Sequence, residues 1–486
     1  MEPAEGFNLP LNDPQGLNAT LVTYTNQGNL CGQAEYRQAG ELLGTAFVAR
    51  DIKAIFEALG EDSLIRYLGF SWGTLLGVTL AAMFPDKIDR MVLDGNINPT
   101  DYYHGTMEES VDDTDAALLH FFETCATAGP DYCPLATIGY TGKELQDDFY
   151  TFLEDTRDKS HNETDDTGET TEYTIYDSLR NELFGMLYAP STWPATAEYI
   201  ALLYQNKTPS VTIKRDFDPL AAADEAVPMA LTAITCGDWD DIPGDLEDFK
   251  EWLALYQDRS KLGGDVMVHT LYQCSTWQVN AKEKFGGHFT DIVTKTPILF
   301  VNGAYDPVTP LVSAQNSSSG FVGSRVLRHN GAGHCSSSHP SSCVYEKVAS
   351  YFNTGELPDV DQICEPNFPA FMGNLSAPID SRTKRSVEED RFETAVGSMV
   401  HLLGKRDPVL EYPAALKRAK RDFYEGRATA TTSVTVIPAG CTPVSENTGG
   451  TLSDAQMKQG LSDLKDICGG YTEDQWFFQL ICGVLG

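Results

Sequence analysis

Basic residues are scarce: 35 lysines and arginines stand against 70 aspartates and glutamates, for a formal net charge of −35. That balance argues against nucleic-acid partners, whose phosphate backbone is held by Lys and Arg. It fits a solvated acidic surface, or one that attracts cationic ligands. Long apolar runs are missing too. No stretch of about 18 apolar residues occurs, so no membrane span is expected. The opening, Met1-Glu2-Pro3-Ala4-Glu5-Gly6 and onward, has neither a basic start nor an apolar core in its first 30 residues, and does not read as a signal peptide. No Cys-x-x-Cys occurs and no His/Cys/Asp cluster has ligand spacing, so neither a metal nor an organic cofactor is implied.

The cysteines point the other way from the missing leader. Eleven are many for a cytosolic enzyme. Pairs such as Cys125/Cys133 and Cys343/Cys364 look like disulfides of a secreted chain. Five Asn-x-Ser/Thr sequons start at Asn18, Asn162, Asn206, Asn316 and Asn374, little above chance but in agreement with secretion.

With 486 residues and 42% apolar content, the chain can hold a large domain with an insertion, or two domains. Residues 45–59 read as a helix, with Phe47, Val48, Ile52, Ile55, Phe56 and Leu59 at three- and four-residue spacing. Leu64–Leu68, Ile88–Leu93, Ile298–Val301 and Arg325–Leu327 read as strands, and Leu21–Thr25 as one more. Strands separated by helices suggest a parallel sheet. From Pro99 to about Thr290 helical stretches such as Asp115–Thr127, Tyr173–Tyr188 and Pro194–Gln205 run without strand signals. The expected division is 1–104 as first core part, 105–290 as inserted helical cap, 291–373 as second core part and 374–486 as a partly disordered extension. The extension carries Lys-Arg pairs at 384–385, 405–406, 417–418 and 420–421, which are candidate processing sites or plain surface charge.

Gly69-Phe70-Ser71-Trp72-Gly73 follows the apolar run 64–68 and precedes a helix-like stretch from Thr74 to Phe84. A G-x-S-x-G between strand and helix is the pattern of the α/β-hydrolase nucleophile elbow. The serine is held in a strained turn so that its hydroxyl stands clear, and the flanking glycines allow strand and helix to approach. The helix start offers the Trp72 N–H to a developing oxyanion.

A serine hydroxyl needs a base, and a histidine base needs an orienting carboxylate. His334 follows the strand at Arg325–Leu327 in Gly331-Ala332-Gly333-His334 and is the favoured base; His329 and His339 are weaker candidates. For the acid, Asp306 lies just past Ile298–Val301, and Asp94 ends the strand before it. Strand-end position alone does not separate the two.

The chain resembles the tripeptidyl-aminopeptidase-like branch of the prolyl-aminopeptidase family of serine peptidases. The resemblance covers about residues 28–372. It rests on Thr45-Ala46 with Ala49-Arg50-Asp51, Ala58-Leu59-Gly60-Glu61, the elbow with Thr74, Phe84-Pro85-Asp86 and Met91-Val92-Leu93-Asp94-Gly95. Further on come Phe121-Phe122 with Cys125 and Cys133, Ile234-Thr235-Cys236 with Cys274 and Trp277, and Tyr305-Asp306-Pro307-Val308-Thr309-Pro310. Gly333-His334-Cys335 and Ser342-Cys343 with Cys364-Glu365-Pro366 complete it. The resemblance implies an α/β-hydrolase core with a helical cap, Ser71 as nucleophile, Asp306 as acid and His334 as base. It implies disulfides Cys125–Cys133, Cys236–Cys274 and Cys343–Cys364, leaving Cys31 and Cys335 open. It also implies acidic groups that hold a substrate amine, for which Asp113, Asp115 and the run Asp238–Asp241 are candidates alongside their plainer reading as solvated carboxylates.

One departure stands out. Family members carry about four more strands before the segment at 28–60, with a His-Gly-rich loop that donates the second oxyanion N–H; here only about 30 residues precede it and His-Gly-Gly is absent. The chain is therefore expected to be N-terminally truncated, with an unpaired edge beside the nucleophile strand and a rate lowered by about a hundredfold to a thousandfold. The expected function is a secreted serine exopeptidase acting on free peptide N-termini through an acyl-enzyme. An esterase or lactonase with the same triad, and an inactive remnant that binds peptides, are the alternatives. The expected partner is a peptide or small-molecule substrate.

Overall fold

The computed structural model describes residues 11, 14–59, 62–137, 139–157, 159–164, 170–205, 226–240, 242 and 244–371. The extension at 374–486, its Lys-Arg pairs and three of its cysteines lie outside the described residues.

The centre is a five-stranded, all-parallel sheet in the order β1-β2-β5-β6-β7. Its strands are β1 (Ile65–Phe70), β2 (Ile88–Asp94), β5 (Leu299–Tyr305), β6 (Arg325–Ala332) and the short β7 (Ile363–Cys364). Parallel strands need crossovers, and helices supply them. α4 (Trp72–Met83) joins β1 to β2, α13 (Leu311–Ser319) joins β5 to β6, and α14 (Ser342–Thr354) joins β6 to β7. Every residue of α4 from Gly73 to Ala81 is buried, because sheet and helix α3 (Thr45–Leu59) enclose it. α3 forms as its periodicity predicts, but the face it buries is Thr45, Ala46, Ala49 and Phe56. Of the expected apolar stripe only Phe56 is fully buried; Phe47, Val48, Ile52 and Leu59 are half-buried and Ile55 is exposed. Val92, Leu299, Val301, Leu327, Val344 and Tyr351 form one buried cluster between sheet and α14. Each such side chain contributes about 1.5–3 kcal/mol on burial.

The N-terminal segment departs from expectation. Leu21–Thr25 lies inside α1 (Pro14–Cys31), followed by α2 (Ala34–Gly40). Its Thr and Val content suggests a strand, but Gly16, Leu17, Thr20, Tyr24, Gly28 and Cys31 are buried, a helical spacing.

The chain between β2 and β5 adds no strand to the main sheet among the described residues. It forms α5 (Pro99–Tyr103), α6 (Thr114–Ala128), α7 (Gly142–Glu154), α8 (Ile175–Met186) and α9 (Trp193–Tyr204). Then follow α10 (Ala226–Asp238), α11 (Leu246–Arg259) and α12 (Gly264–Ser275). A second core of Phe121, Phe122, Phe149, Leu183, Trp193 and Ile200 holds α6 to α9 together. One expectation here needs correction: the stretch from Tyr173 is not wholly helical. β3 (Ser160–Thr164) and β4 (Thr170–Thr174) pair antiparallel, and the helix starts only at Ile175. The run Thr170-Thr171-Glu172-Tyr173-Thr174 is β-branched and aromatic, which favours the ladder. Disulfides join Cys125 to Cys133, Cys236 to Cys274 and Cys343 to Cys364, tying α6 to the loop after it, α10 to α12 and α14 to β7.

Candidate active site

Because the sheet is parallel, the carboxyl ends of its strands share one edge, where α/β sheets bind ligands. Register places Phe70 beside Asp94, Asp94 beside Val301 and Tyr305 beside Ala332. Ser71, Asp306 and His334, each one or two residues past a strand, are thus carried to the same edge.

Ser71 has φ 53° and ψ −124°, a left-handed conformation that costs a non-glycine residue about 1–3 kcal/mol. The strain is held in place by hydrogen bonds. Ser71 N–H donates to the Asp94 carbonyl at 3.1 Å, and Thr74 donates to the Ser71 carbonyl through N–H at 2.8 Å and Oγ1 at 2.6 Å. The two flanking glycines differ in role. A Cβ on Gly69 would lie 2.5 Å from the Gly73 carbonyl oxygen, whereas one on Gly73 would meet only the Tyr67 hydroxyl at 3.5 Å. Close approach therefore requires Gly69 alone. Trp72 is the first residue of α4, so its N–H has no acceptor within the helix.

Asp306 is fully buried. Its carboxylate accepts from Thr309 N–H and Cys335 N–H, both at 2.9 Å, and from Val308 N–H at 3.1 Å. His334 Nδ1 sits 3.1 Å from Oδ2 and 3.2 Å from Oδ1 of the same carboxylate. Nδ1 thereby carries the proton, and Nε2 is left to act as a base. Burial alone would raise Asp306, but His334 and the donated N–H bonds outweigh it and hold the carboxyl below its ordinary range. Burial would likewise lower His334, but Cys335 and Asp306 outweigh it and hold the ring well above the ordinary histidine range. From the helical insertion, the Tyr188 carbonyl accepts His334 N–H at 2.9 Å, and the Tyr188 ring stands edge-on to the imidazole at 5.0 Å.

The remaining candidates fall elsewhere. Asp94 is not bonded to His334; its carboxylate accepts from Ser336 N–H at 2.9 Å and Ser336 Oγ at 2.5 Å. His329 is buried within β6 itself. His339 accepts from Ala332 N–H on Nδ1 and donates from Nε2 to the Phe368 carbonyl, a structural bridge. Asp115 is occupied by Tyr150, Ser260, Lys261 and Leu262, and Asp238 by Thr45 and Tyr102. Asp240 is fully exposed and Asp241 lies outside the described residues. Asp113 accepts from Leu311 N–H, beside the Asp306 loop. A cavity of about 280 Å³ among Phe122, Leu135, Tyr140 and Tyr204 includes none of Ser71, Asp306 and His334. Sequence reading missed the parts played by Ser336 and Tyr188; the Ser-rich run after His334 was the one available signal for the former.

A strained serine, a helix N-terminus behind it and a histidine paired with a buried carboxylate are the parts of an acyl-transfer site on an α/β-hydrolase fold. Residues 25–126 match the alpha/beta hydrolase fold family model, and residues 260–364 match the TAP-like protein model. The fold and these two matches are those of an α/β-hydrolase, and the second match makes the chain similar to TAP-like proteins. It is 25% identical over 332 residues to serine protease Hip1 of Mycobacterium tuberculosis, covering 66% of this chain and 62% of that protein. It is 25% identical over 392 residues to the tripeptidyl aminopeptidase of Streptomyces lividans, covering 76% and 67%. It is 26% identical over 326 residues to the putative hydrolase YuaR of Escherichia coli, covering 64% and 60%. The chain thus spans about three-fifths of the length of the first of these relatives.

Proposed function

We propose that this protein is a serine peptidase that removes residues or short peptides from free N-termini. The observation that carries the reading is the Asp306–His334 hydrogen bond, set at the same sheet edge as the strained Ser71. Ser71 Oγ attacks the scissile carbonyl carbon while its proton passes to His334 Nε2. The oxyanion faces the Trp72 N–H at the start of α4. The carbon–nitrogen bond breaks as His334 returns the proton to the leaving amine. Water, deprotonated by His334, then adds to the acyl-enzyme and releases Ser71. We read the helical insertion, which meets His334 through Tyr188, as a cap that restricts access to chain ends. Three disulfides support work in an oxidising, extracellular compartment.

The test pairs fluorophosphonate labelling with a substrate panel. Labelling of the purified chain is expected, and is lost in Ser71→Ala. Tripeptidyl amides with free N-termini are expected to be cleaved and their acetylated forms not. Equal cleavage of blocked and free substrates overturns the exopeptidase reading. Turnover of simple esters without any amide moves the assignment to an esterase or lactonase. A folded chain that takes no label overturns the serine mechanism itself.

A further inference from the structure

Asp94 touches both halves of the candidate site. Its main-chain carbonyl accepts Ser71 N–H at 3.1 Å, and Cys335 Sγ approaches that same carbonyl at 3.5 Å. The residue is 3% exposed, and its carboxylate holds Ser336, two residues past His334, by both N–H and hydroxyl. A buried carboxylate is costly unless its oxygens are satisfied, and Ser336 supplies the donors among the described residues. The end of β2 is therefore the point at which nucleophile turn and base loop are fastened together.

We propose that Asp94 is a second positioning carboxylate of this site: it clamps the base loop to the nucleophile turn and adds negative charge facing the His334 imidazolium. The proposal rests on the reading of Ser71 and His334 given above. The titratable groups facing Asp94 are Asp306 from the loop after β5, and His334 and Cys335 from the loop after β6. Those facing His334 are Asp306, Asp94, Cys335 and, from the helical insertion, Tyr188. Burial pushes the Asp94 carboxyl up to about 6 against the bonds from Ser336, so it is ionised at and above neutral pH. Attraction is mutual: His334 favours the charged form of Asp94, and Asp94 favours the protonated form of His334. Asp94→Asn keeps an acceptor for Ser336 N–H and removes the charge. Asp94→Ala removes both.

The experiment uses the full chain. Fluorophosphonate labelling rates are measured from pH 5 to 9 for the wild type, Asp94→Asn, Asp94→Ala, Ser336→Ala, Ser71→Ala and His334→Ala. The low-field imidazole proton of His334 is followed by ¹H NMR over the same range, assigned by its loss in His334→Ala. The plateau rate is expected to fall about tenfold in Asp94→Asn, a fraction of what a general base contributes, and further in Asp94→Ala. In Asp94→Asn the acid limb and the NMR titration both move to lower pH, a response that a merely structural residue does not give. A plateau within twofold of wild type with limb and resonance unmoved overturns the proposal. Should wild type take no label, the serine mechanism fails, while the NMR titration still decides the role of Asp94. If neither Asp94 variant folds, Ser336→Ala decides: a smaller downward move supports the clamp, and unmoved readouts overturn it.

Discussion

At the residue scale, the proposed mechanism makes His334 the group whose protonation sets the pH dependence. The carboxylate behind it is buried and ionised, so the imidazolium is favoured and the ring holds its proton above the ordinary histidine value of about 6.5. A base must be neutral to accept the Ser71 proton. Labelling should therefore rise with pH along a limb whose midpoint lies above 6.5, the ordinary value. A midpoint at or below that value counts against the pairing. Asp306→Asn is expected to lower the midpoint and to slow labelling by about 10⁴-fold, because an amide cannot hold the required tautomer. Asp306 and Asp94 show why such a site is only partly legible in sequence. Both end apolar runs, and both arrive buried at the same sheet edge. What separates them is which loop residue each meets, His334 for one and Ser336 for the other, and no spacing along the chain encodes that.

At the scale of elements, the nucleophile turn depends on how closely β1 and α4 approach. A methyl at position 69 would sit 2.5 Å from a backbone oxygen and 2.6 Å from Tyr67 Cε1, and the backbone cannot yield without moving Ser71. Gly69→Ala is expected to cost about 1–3 kcal/mol by overpacking and to slow labelling as the turn distorts. Gly73→Ala, with its nearest neighbour at 3.5 Å, serves as the contrast and should cost under about 1 kcal/mol, the Cβ being accommodated. Urea denaturation of both variants measures this, and equal losses would refute the distinction. The strands β1, β2, β5 and β6 were legible from short apolar stretches bounded by turn residues: Leu299–Val301 in β5 and Met91–Leu93 in β2 are buried runs, whereas β1 alternates buried and half-buried positions. α1 and the β3–β4 hairpin were not. In α1 the Thr and Val content of residues 21–25 pulls toward strand, and only packing against α11 and α12 settles the period. In the hairpin the ladder forms from threonines and charged residues, without the apolar alternation that marks a half-buried strand.

At the scale of the whole molecule, histidines lowered by burial contribute to the response to acid. Burial lowers His329 and His120 to about 4 and His269 to about 3. The unfolded chain takes up these protons near 6.5, before the folded one does. Stability from such groups is complete above the unfolded value and is lost as pH falls through the folded values. Asp94 runs the opposite way. Its carboxyl is raised to about 6, so its contribution is present at low pH and lost as pH rises through that value. Burial also raises Asp51, Asp113 and Asp238, which act in the same sense as Asp94, and lowers His339, which acts with the other histidines. The histidines' share of the stability is the part lost between pH 7 and 4. His329 permits a direct check. It is 1% exposed, and neither ring nitrogen has a hydrogen-bond partner among the described residues. Leucine at this position forfeits no hydrogen bond and cannot be protonated. His329→Leu is expected to be at least as stable as wild type at pH 7, since an unsatisfied buried polar group costs about 1–3 kcal/mol. Between pH 7 and 4 it should lose up to about 3 kcal/mol less than wild type, the linkage value of lowering one histidine from 6.5 to about 4. Parallel stability curves for the two proteins would place the acid sensitivity in other groups and remove His329 from the account.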